Sequence, residues 1–363
     1  MKWGVYLTSA QPPSQTQREV IANTLAYAEV AEAMGFEDVW VLEHHFTRYG
    51  LVGSPLTLAA YILGRTKRLR VGTAINVIPL EHPIRLAEEV ALLDQLSDGR
   101  LSFGIGRGAF VKDFKVFGVD MSKSRDILSE WTQLMLEAWS RGRVASRGSF
   151  AAFDEVEVFP EPYTRPHPPV YCVAQSPSTV EWAAKQGFPM ILNYTLEDEA
   201  KTAQIELYAE VAREHGHDPA KIEHVLSCLA GVGESRAALQ EDSRLTLSWW
   251  LEEFVRASQI FAPETKANVG GYEWHHRQWE DWTIRGYTTT ESRLERYCRL
   301  NPIGSPAECV ETLQRSIDAT GVRHIVCGFE SLGDRPRVLE SMARFWKEVI
   351  PRIRPARQGK ART

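Results

Sequence analysis

Cysteine is scarce in this sequence, with five among 363 residues. Cys172, Cys228, Cys298, Cys309 and Cys327 are odd in number and contain no CxxC pair. That argues against a disulfide framework and a zinc ribbon, and points to thiols buried as small apolar side chains. A basic surplus is also missing: 42 Lys and Arg against 47 Asp and Glu leave a net charge of −5. Nothing in that balance neutralises a nucleic-acid backbone. Long apolar runs are absent too. The longest stretch without a charged side chain, residues 49–64, is interrupted by Gly50, Gly53, Ser54 and Pro55 and is too short to span a bilayer. Lys2 is followed by too few apolar residues for a signal peptide, so the cytoplasm is the expected compartment. What is present is ordinary for a globular chain, with 44% hydrophobic and 25% charged residues.

The chain alternates short β-rich runs with helical patterns. Strands are expected at residues 3–7, 39–42, 69–78, 101–105, 170–173, 190–192, 222–230 and 322–329. Between them lie apolar faces at helical spacing. Examples are Leu86, Val90, Leu93 after Pro83, and Leu128, Trp131, Met135 further on. Helices are expected at 177–186, about 197–215 and 235–259. Residues 143–169 read as an excursion with a small hairpin, and residues 262–292 show no period. Several of the strand runs are continuously apolar, as parallel strands covered on both faces should be. Eight βα units without a linker predict a (β/α)8 TIM barrel over residues 1–350 as one domain, with a flexible basic tail at 351–363. A doubly wound sheet has the same count, because counting strands does not show closure.

In a barrel, chemistry belongs at the C-terminal ends of the strands. Glu43-His44-His45-Phe46 follows the second strand. Neighbouring residues of an extended chain point to opposite sides, so at most one of these histidines faces a shared site. Spacing alone fits acid–base work or plain hydrogen bonding at the rim, and adjacent histidines without a third ligand do not make a metal site. Gly104-Ile105-Gly106-Arg107-Gly108 follows the fourth strand. Its GxGxG spacing and its position exclude a dinucleotide fingerprint, and leave a strand exit that lets Arg107 approach a ligand. Gln175-Ser176-Pro177-Ser178-Thr179 follows the fifth. Ser176 stands at an N-cap and Pro177 in the first turn, so this helix start is either a plain cap or an anion site reinforced by Arg107 and Arg125. Phe110, Tyr194, Trp249 and Trp250 are candidate pocket walls, with one of the two tryptophans expected in the core. His275 to Trp279 read as a lid surface rather than a metal site.

Longer stretches then become recognisable. Val41-Leu42-Glu43-His44-His45-Phe46, Leu92-Leu93-Asp94-Gln95-Leu96, Phe103-Gly104-Ile105-Gly106-Arg107-Gly108, Asn301-Pro302-Ile303-Gly304 and Cys327-Gly328-Phe329-Glu330 resemble the bacterial luciferase α-subunit. The likeness is collinear over about residues 1–350. It implies a luciferase-like flavin monooxygenase that uses reduced FMN from a separate flavin reductase and O2 as co-substrate. Such an enzyme forms a flavin C4a-hydroperoxide and puts one oxygen into a small organic molecule. The resemblance places the FMN phosphate at Arg107, Arg125, Gln175, Ser176 and Thr179, a non-proline cis peptide at Ala74-Ile75, and Asp113 and Val173 beside the flavin. It makes His44 the catalytic histidine with His45 its neighbour, and residues 262–292 a mobile loop with Arg285 and Gly286 at a functional pair. Gly106, Phe110, Tyr194 and Trp250 are then expected around the substrate. Gly106 stands where the family has a reactive cysteine, which is expected to enlarge the space beside the flavin. The resemblance also implies a homodimer through the helices after strands two and three. Two alternatives on the same barrel are a non-catalytic flavin-binding partner subunit and a deazaflavin-dependent oxidoreductase. Arginine far outnumbers lysine, which suggests a GC-rich genome, and antibiotic or polyketide tailoring is the expected setting.

Overall fold

A computed structural model describes residues 1–258 and 270–356. Eight parallel strands form a closed ring: β1 (Lys2–Leu7), β2 (Asp38–Val41), β3 (Arg70–Thr73), β4 (Leu101–Gly106), β5 (Val170–Cys172), β6 (Ile191–Leu192), β7 (Val225–Leu229) and β8 (His324–Gly328). Continuous pairing runs from β6 through β7, β8, β1, β2, β3 and β4 to β5. The remaining gap is closed by a parallel bridge between Cys172 and Met190, where the Cys172 N–H donates to the Pro189 carbonyl at 2.9 Å. Closure decides for the barrel against the open, doubly wound sheet. Every residue of β2, β4, β7 and β8 is buried, as their apolar runs require.

The expected third strand, residues 69–78, is not one strand. β3 stops at Thr73, the Ala74-Ile75 peptide is cis, and a two-residue strand Asn76–Val77 pairs with the end of β4 before a 3-10 turn Ile78–Leu80. An unbroken apolar run carries no sign of such a break, because burial persists through it. The seventh strand is likewise shorter than residues 222–230, since Pro219–Lys221 forms a 3-10 turn ahead of it. The excursion holds the expected hairpin, Arg143–Arg147 against Ala152–Glu157.

The lower barrel interior is filled. Trp40 meets Tyr171 edge-on at 5.0 Å, and Ile191, Val225 and Val326 pack around them. Asp38 and His324 form a buried pair at 2.7 Å. Trp40 fits only because residue 72 is glycine: a Cβ there would lie 2.4 Å from its ring. The outer core lies between strands and helices, and among the described residues the roomy interior end is the C-terminal one. No described helix is long and apolar enough to cross a membrane.

Candidate active site

The C-terminal mouth of the barrel holds a cavity of about 230 Å³, and its two ends differ in chemistry. One end is built for an anion. Arg107 leaves β4 with its side chain buried, donates from Nη1 to the Gly271 carbonyl at 3.1 Å, and lies 4.4 Å over the Tyr272 ring. Opposite it, helix α6 (Pro177–Gln186) starts at the cavity. Ser176 occupies the N-cap, yet its hydroxyl makes no capping bond to the backbone; it meets Thr179 Oγ1 at 3.0 Å and Ser178 Oγ at 3.3 Å instead. The uncapped helix start and the hydroxyls of Ser176 and Thr179 therefore face the same space as Arg107. The Gln175 side of this turn is fixed by Gln204, which donates to the Gln175 carbonyl at 2.7 Å. Arg125, on helix α5 (Ser124–Arg141), does not line the cavity, but its charge reaches Arg107: burial first, and Arg125 with it, lowers the Arg107 pKa. An anion bound at Arg107 would offset both the burial of its guanidinium and the charge of Arg125.

The other end carries the titratable groups. His44 is stacked on Phe110 at 4.8 Å with 13° between planes, and meets Tyr49 edge-on at 4.9 Å. Burial, with a smaller contribution from His45, pushes its pKa down to about 3, and its Nε2 is buried without a hydrogen-bond partner. An unsatisfied buried polar atom costs about 1–3 kcal/mol, so this nitrogen is poised for a ligand. His45 points away from the cavity. Its Nε2 meets Glu43 Oε1 at 3.0 Å, its ring packs on Phe117 at 4.8 Å, and although burial opposes charge, Glu43 raises its pKa. The alternation expected of neighbours in an extended chain thus separates the pair: His44 lines the cavity, and His45, expected beside it, pairs with Glu43 instead. Asp113 lines the wall on the short helix α4 (Val111–Phe117). Burial raises its pKa to about 7, His45 opposes the rise and Glu43 adds to it; its Oδ1 is also without a partner.

Ala74, Ile75, Gly106 and Val173 line the space between the two ends. Gly106 does not enlarge it. A Cβ at this position would stand 2.2 Å from Ile75 Cδ1, so the isoleucine fills the room the missing side chain leaves. Phe110, Tyr194 and Phe254 form an aromatic wall, with the Tyr49 and Tyr194 hydroxyls 3.1 Å apart. Trp250 is not part of that wall. It lies in the core behind it, 5.0 Å from Tyr49 and 5.9 Å from Tyr194, because its helix (Arg236–Ser258) turns that face to the strands. Trp249 is partly buried against the same core.

Sequence reasoning missed Glu43, which accepts from the Val77 N–H at 2.9 Å and lines the cavity. It also missed two helices, one of them at Thr290–Leu300. Residues 270–292, expected to be aperiodic, contain helix α9 (Glu273–Ile284), preceded by a helix at Arg236–Ser258 that is α8 in chain order. Trp274, His275, Gln278 and Trp282 of α9 line the cavity. The four-residue spacing of Trp274, Gln278 and Trp282 was the available signal, masked by the polar composition around it. Arg285 caps this helix and pairs with Asp281 at 2.9 Å, and neither it nor Gly286 lines the cavity. The remainder of the expected loop, residues 262–269, lies outside the described residues. Among the described residues no cluster of His, Cys, Asp or Glu could hold a metal.

Residues 1–324 match the family model of the luciferase-like monooxygenases. The chain is 43% identical to an alkanal monooxygenase α chain of Photorhabdus laumondii, over 97% of both chains. It is 41% identical to that of the Kryptophanaron alfredi symbiont, over 98% of this chain and 99% of the other. Among solved structures, a monooxygenase of Streptomyces bottropensis superposes with a TM-score of 0.80 at 23% identity, over 97% of this chain and 99% of the other.

Proposed function

Because the chain belongs to the luciferase-like monooxygenase family and is a flavin-dependent monooxygenase, we propose that its flavin is FMN, taken up reduced from a separate flavin reductase. The residues fit that nucleotide. A phosphate monoester would satisfy Arg107, the hydroxyls of Ser176 and Thr179 and the uncapped start of α6, with Arg125 adding long-range charge. Gln175 would contribute backbone, and Ala74, Ile75, Gly106 and Val173 would flank the ring. Reduced FMN, when bound, supplies the electrons that let O2 deliver one oxygen atom to the substrate and the other to water.

The protein's own contribution is binding, exclusion of water and proton handling. His44 is neutral at pH 7 and presents its orphan Nε2 to the cavity as a hydrogen-bond acceptor; the burial that lowers its pKa to about 3 opposes protonation, so the ring takes up a proton only where a bound anionic ligand offsets that burial. Phe110, Tyr194 and Phe254 wall off solvent. The substrate is a small apolar organic molecule; an aldehyde is the first candidate, given relatives named alkanal monooxygenases, and a polyketide-type ketone the second. The single observation that carries this reading is one cavity holding both an unpartnered buried imidazole and a cationic, uncapped helix start. The test is turnover with photoreduced FMN under ¹⁸O2 and a panel of aldehydes and ketones. A product heavier by one labelled oxygen atom supports it. Stoichiometric hydrogen peroxide with every substrate defeats it.

We also read the protein as a homodimer through α2 (Pro55–Arg65) and α3 (Pro83–Leu96), the helices after β2 and β3. Tyr61, Leu92 and Leu96 are exposed on these helices at 54%, 49% and 71%. Paired apolar faces would remove them from water.

A further inference from the structure

Helix α9 contributes more than a wall. Its N-cap residue, Tyr272, is almost fully buried among Val77, Val111, Phe114 and Met121. Its hydroxyl donates to the Gly108 carbonyl at 2.8 Å and accepts from Ser124 Oγ at 3.1 Å. Gly108 directly follows Arg107, and Ser124 directly precedes Arg125. One phenol thus ties together the two segments that carry the cationic side chains, while its ring face lies 4.4 Å from the Arg107 guanidinium and the neighbouring Gly271 carbonyl holds the same guanidinium at 3.1 Å. A ring face under a desolvated guanidinium is attractive and directional, so it fixes where the fork points. Three residues on, His275 lines the cavity, and its Nδ1 is buried without a hydrogen-bond partner. Its backbone N–H donates to the Tyr272 carbonyl at 3.0 Å, and the two rings lie 5.5 Å apart.

A buried ring nitrogen in that position has two possible partners, water or ligand, and the charges around it say which ligand. Arg107 and Arg125 both act on His275 and, behind burial, disfavour its cationic form. The neutral ring still offers one N–H donor. In a cavity end lined by a guanidinium, two hydroxyls and an uncapped helix start, the group that accepts from all of them is an oxyanion.

We infer that Tyr272 is a positioning residue for Arg107 and that His275 is a further ligand of the nucleotide's phosphate, so that α9 adds to the anion site begun by Arg107 and α6. The inference rests on the FMN reading above. It assigns to a segment without sequence period a binding role that composition did not disclose. Neither residue takes part in proton transfer to the substrate.

Two probes separate the phosphate from the ring: FMN and riboflavin, which differ by the phosphate alone. Affinity is read from quenching of flavin fluorescence for the intact protein and for Tyr272→Phe, Tyr272→Ala and His275→Gln, each first checked for native circular dichroism. Tyr272→Phe keeps the ring face and loses both hydroxyl bonds, so it guards against a variant that fails to fold. His275→Gln keeps volume and polarity. Expected are FMN affinities about tenfold weaker in Tyr272→Ala and about threefold to tenfold weaker in Tyr272→Phe and His275→Gln, with riboflavin affinity within twofold of the intact protein throughout. A second readout is direct: inorganic phosphate should shift the His275 ring ¹⁵N resonance, and chloride at equal ionic strength should not. Unchanged FMN affinity in all three variants, an equal loss for both flavins, or a phosphate-insensitive His275 resonance overturns the inference. An intact protein that binds riboflavin as tightly as FMN overturns the underlying FMN reading instead.

Discussion

His44 and His45 are neighbours in the chain and opposites in protonation. Burial holds His44 neutral to about pH 3, whereas Glu43 overcomes burial at His45 and raises its pKa. His44→Ala should therefore cut turnover by at least about a hundredfold, within the span that positioned acid–base groups contribute, and leave FMN affinity unchanged; equilibrium binding alongside steady-state rates checks both. Asp113 behaves in the reverse sense. Its folded pKa of about 7 lies above the unfolded value of 3.8, so between those values the unfolded chain sheds a proton that the native carboxyl keeps, and stability falls as pH rises through the window. Asp113→Asn should remove that penalty. Its melting temperature at pH 8 should exceed the native protein's, and any step near pH 7 in a pH profile of FMN binding should disappear. The identity of His44 as a candidate was legible from the strand-exit position; which of the two histidines turns inward was not, because both lie beyond β2, which ends at Val41, where tertiary contacts such as Glu43 with the Val77 N–H set the orientation.

At the scale of elements, the start of α6 shows how a cap can be left unmade. Ser176 and Thr179 hydrogen-bond to one another through their side chains; Pro177 has no N–H and the Thr179 N–H donates to the Ser176 carbonyl, so the Ser178 N–H is the first-turn donor left for a ligand. The double variant Ser176→Ala with Thr179→Val should weaken FMN binding about tenfold, the loss of roughly one charge-assisted bond, and should lessen inhibition by inorganic phosphate in competition assays. The helix itself keeps Pro177 in its first turn and Gly187 at φ 70° as its stop, so its far-ultraviolet spectrum should not change. Ser-Pro spacing made this element readable. Helix α9 was unreadable for the opposite reason: its cavity-facing residues mix Trp, His and Gln, so hydrophobic period fails where a helix lines a polar pocket. The broken third strand failed for a third reason, since apolar content continues across Ala74 and Ile75 while the ladder does not.

For the molecule as a whole, acid sensitivity and assembly are the measurable consequences. His224 is buried and accepts from the Met190 N–H at 3.0 Å, next to the bridge that closes the barrel. Burial lowers its pKa from 6.5 to about 4. Below pH 6.5 the unfolded chain takes up a proton that the native imidazole refuses, so stability falls as pH drops through that window, by up to about 1.4 kcal/mol per pH unit for this one group. His224→Gln, which keeps an acceptor for Met190, should flatten that slope in denaturant titrations at pH 6.5, 5.5 and 4.5. Leu96, 71% exposed on α3, carries the dimer proposal. Leu96→Glu should lower the mass seen by sedimentation equilibrium to that of one chain without lowering its helix content; an unchanged mass excludes this face.

Eight strand runs, their helices and the three strand exits bearing His44, Arg107 and Ser176 follow from the order of residues, because backbone propensity, apolar period and capping are local. Ring closure through Cys172 and Met190, the inward turn of His44, the exile of Trp250 to the core and the union of Arg107 with Tyr272 were decided only by packing. Each joins residues far apart in the chain, and burial, which tunes every charge in the cavity, exists only once those residues meet.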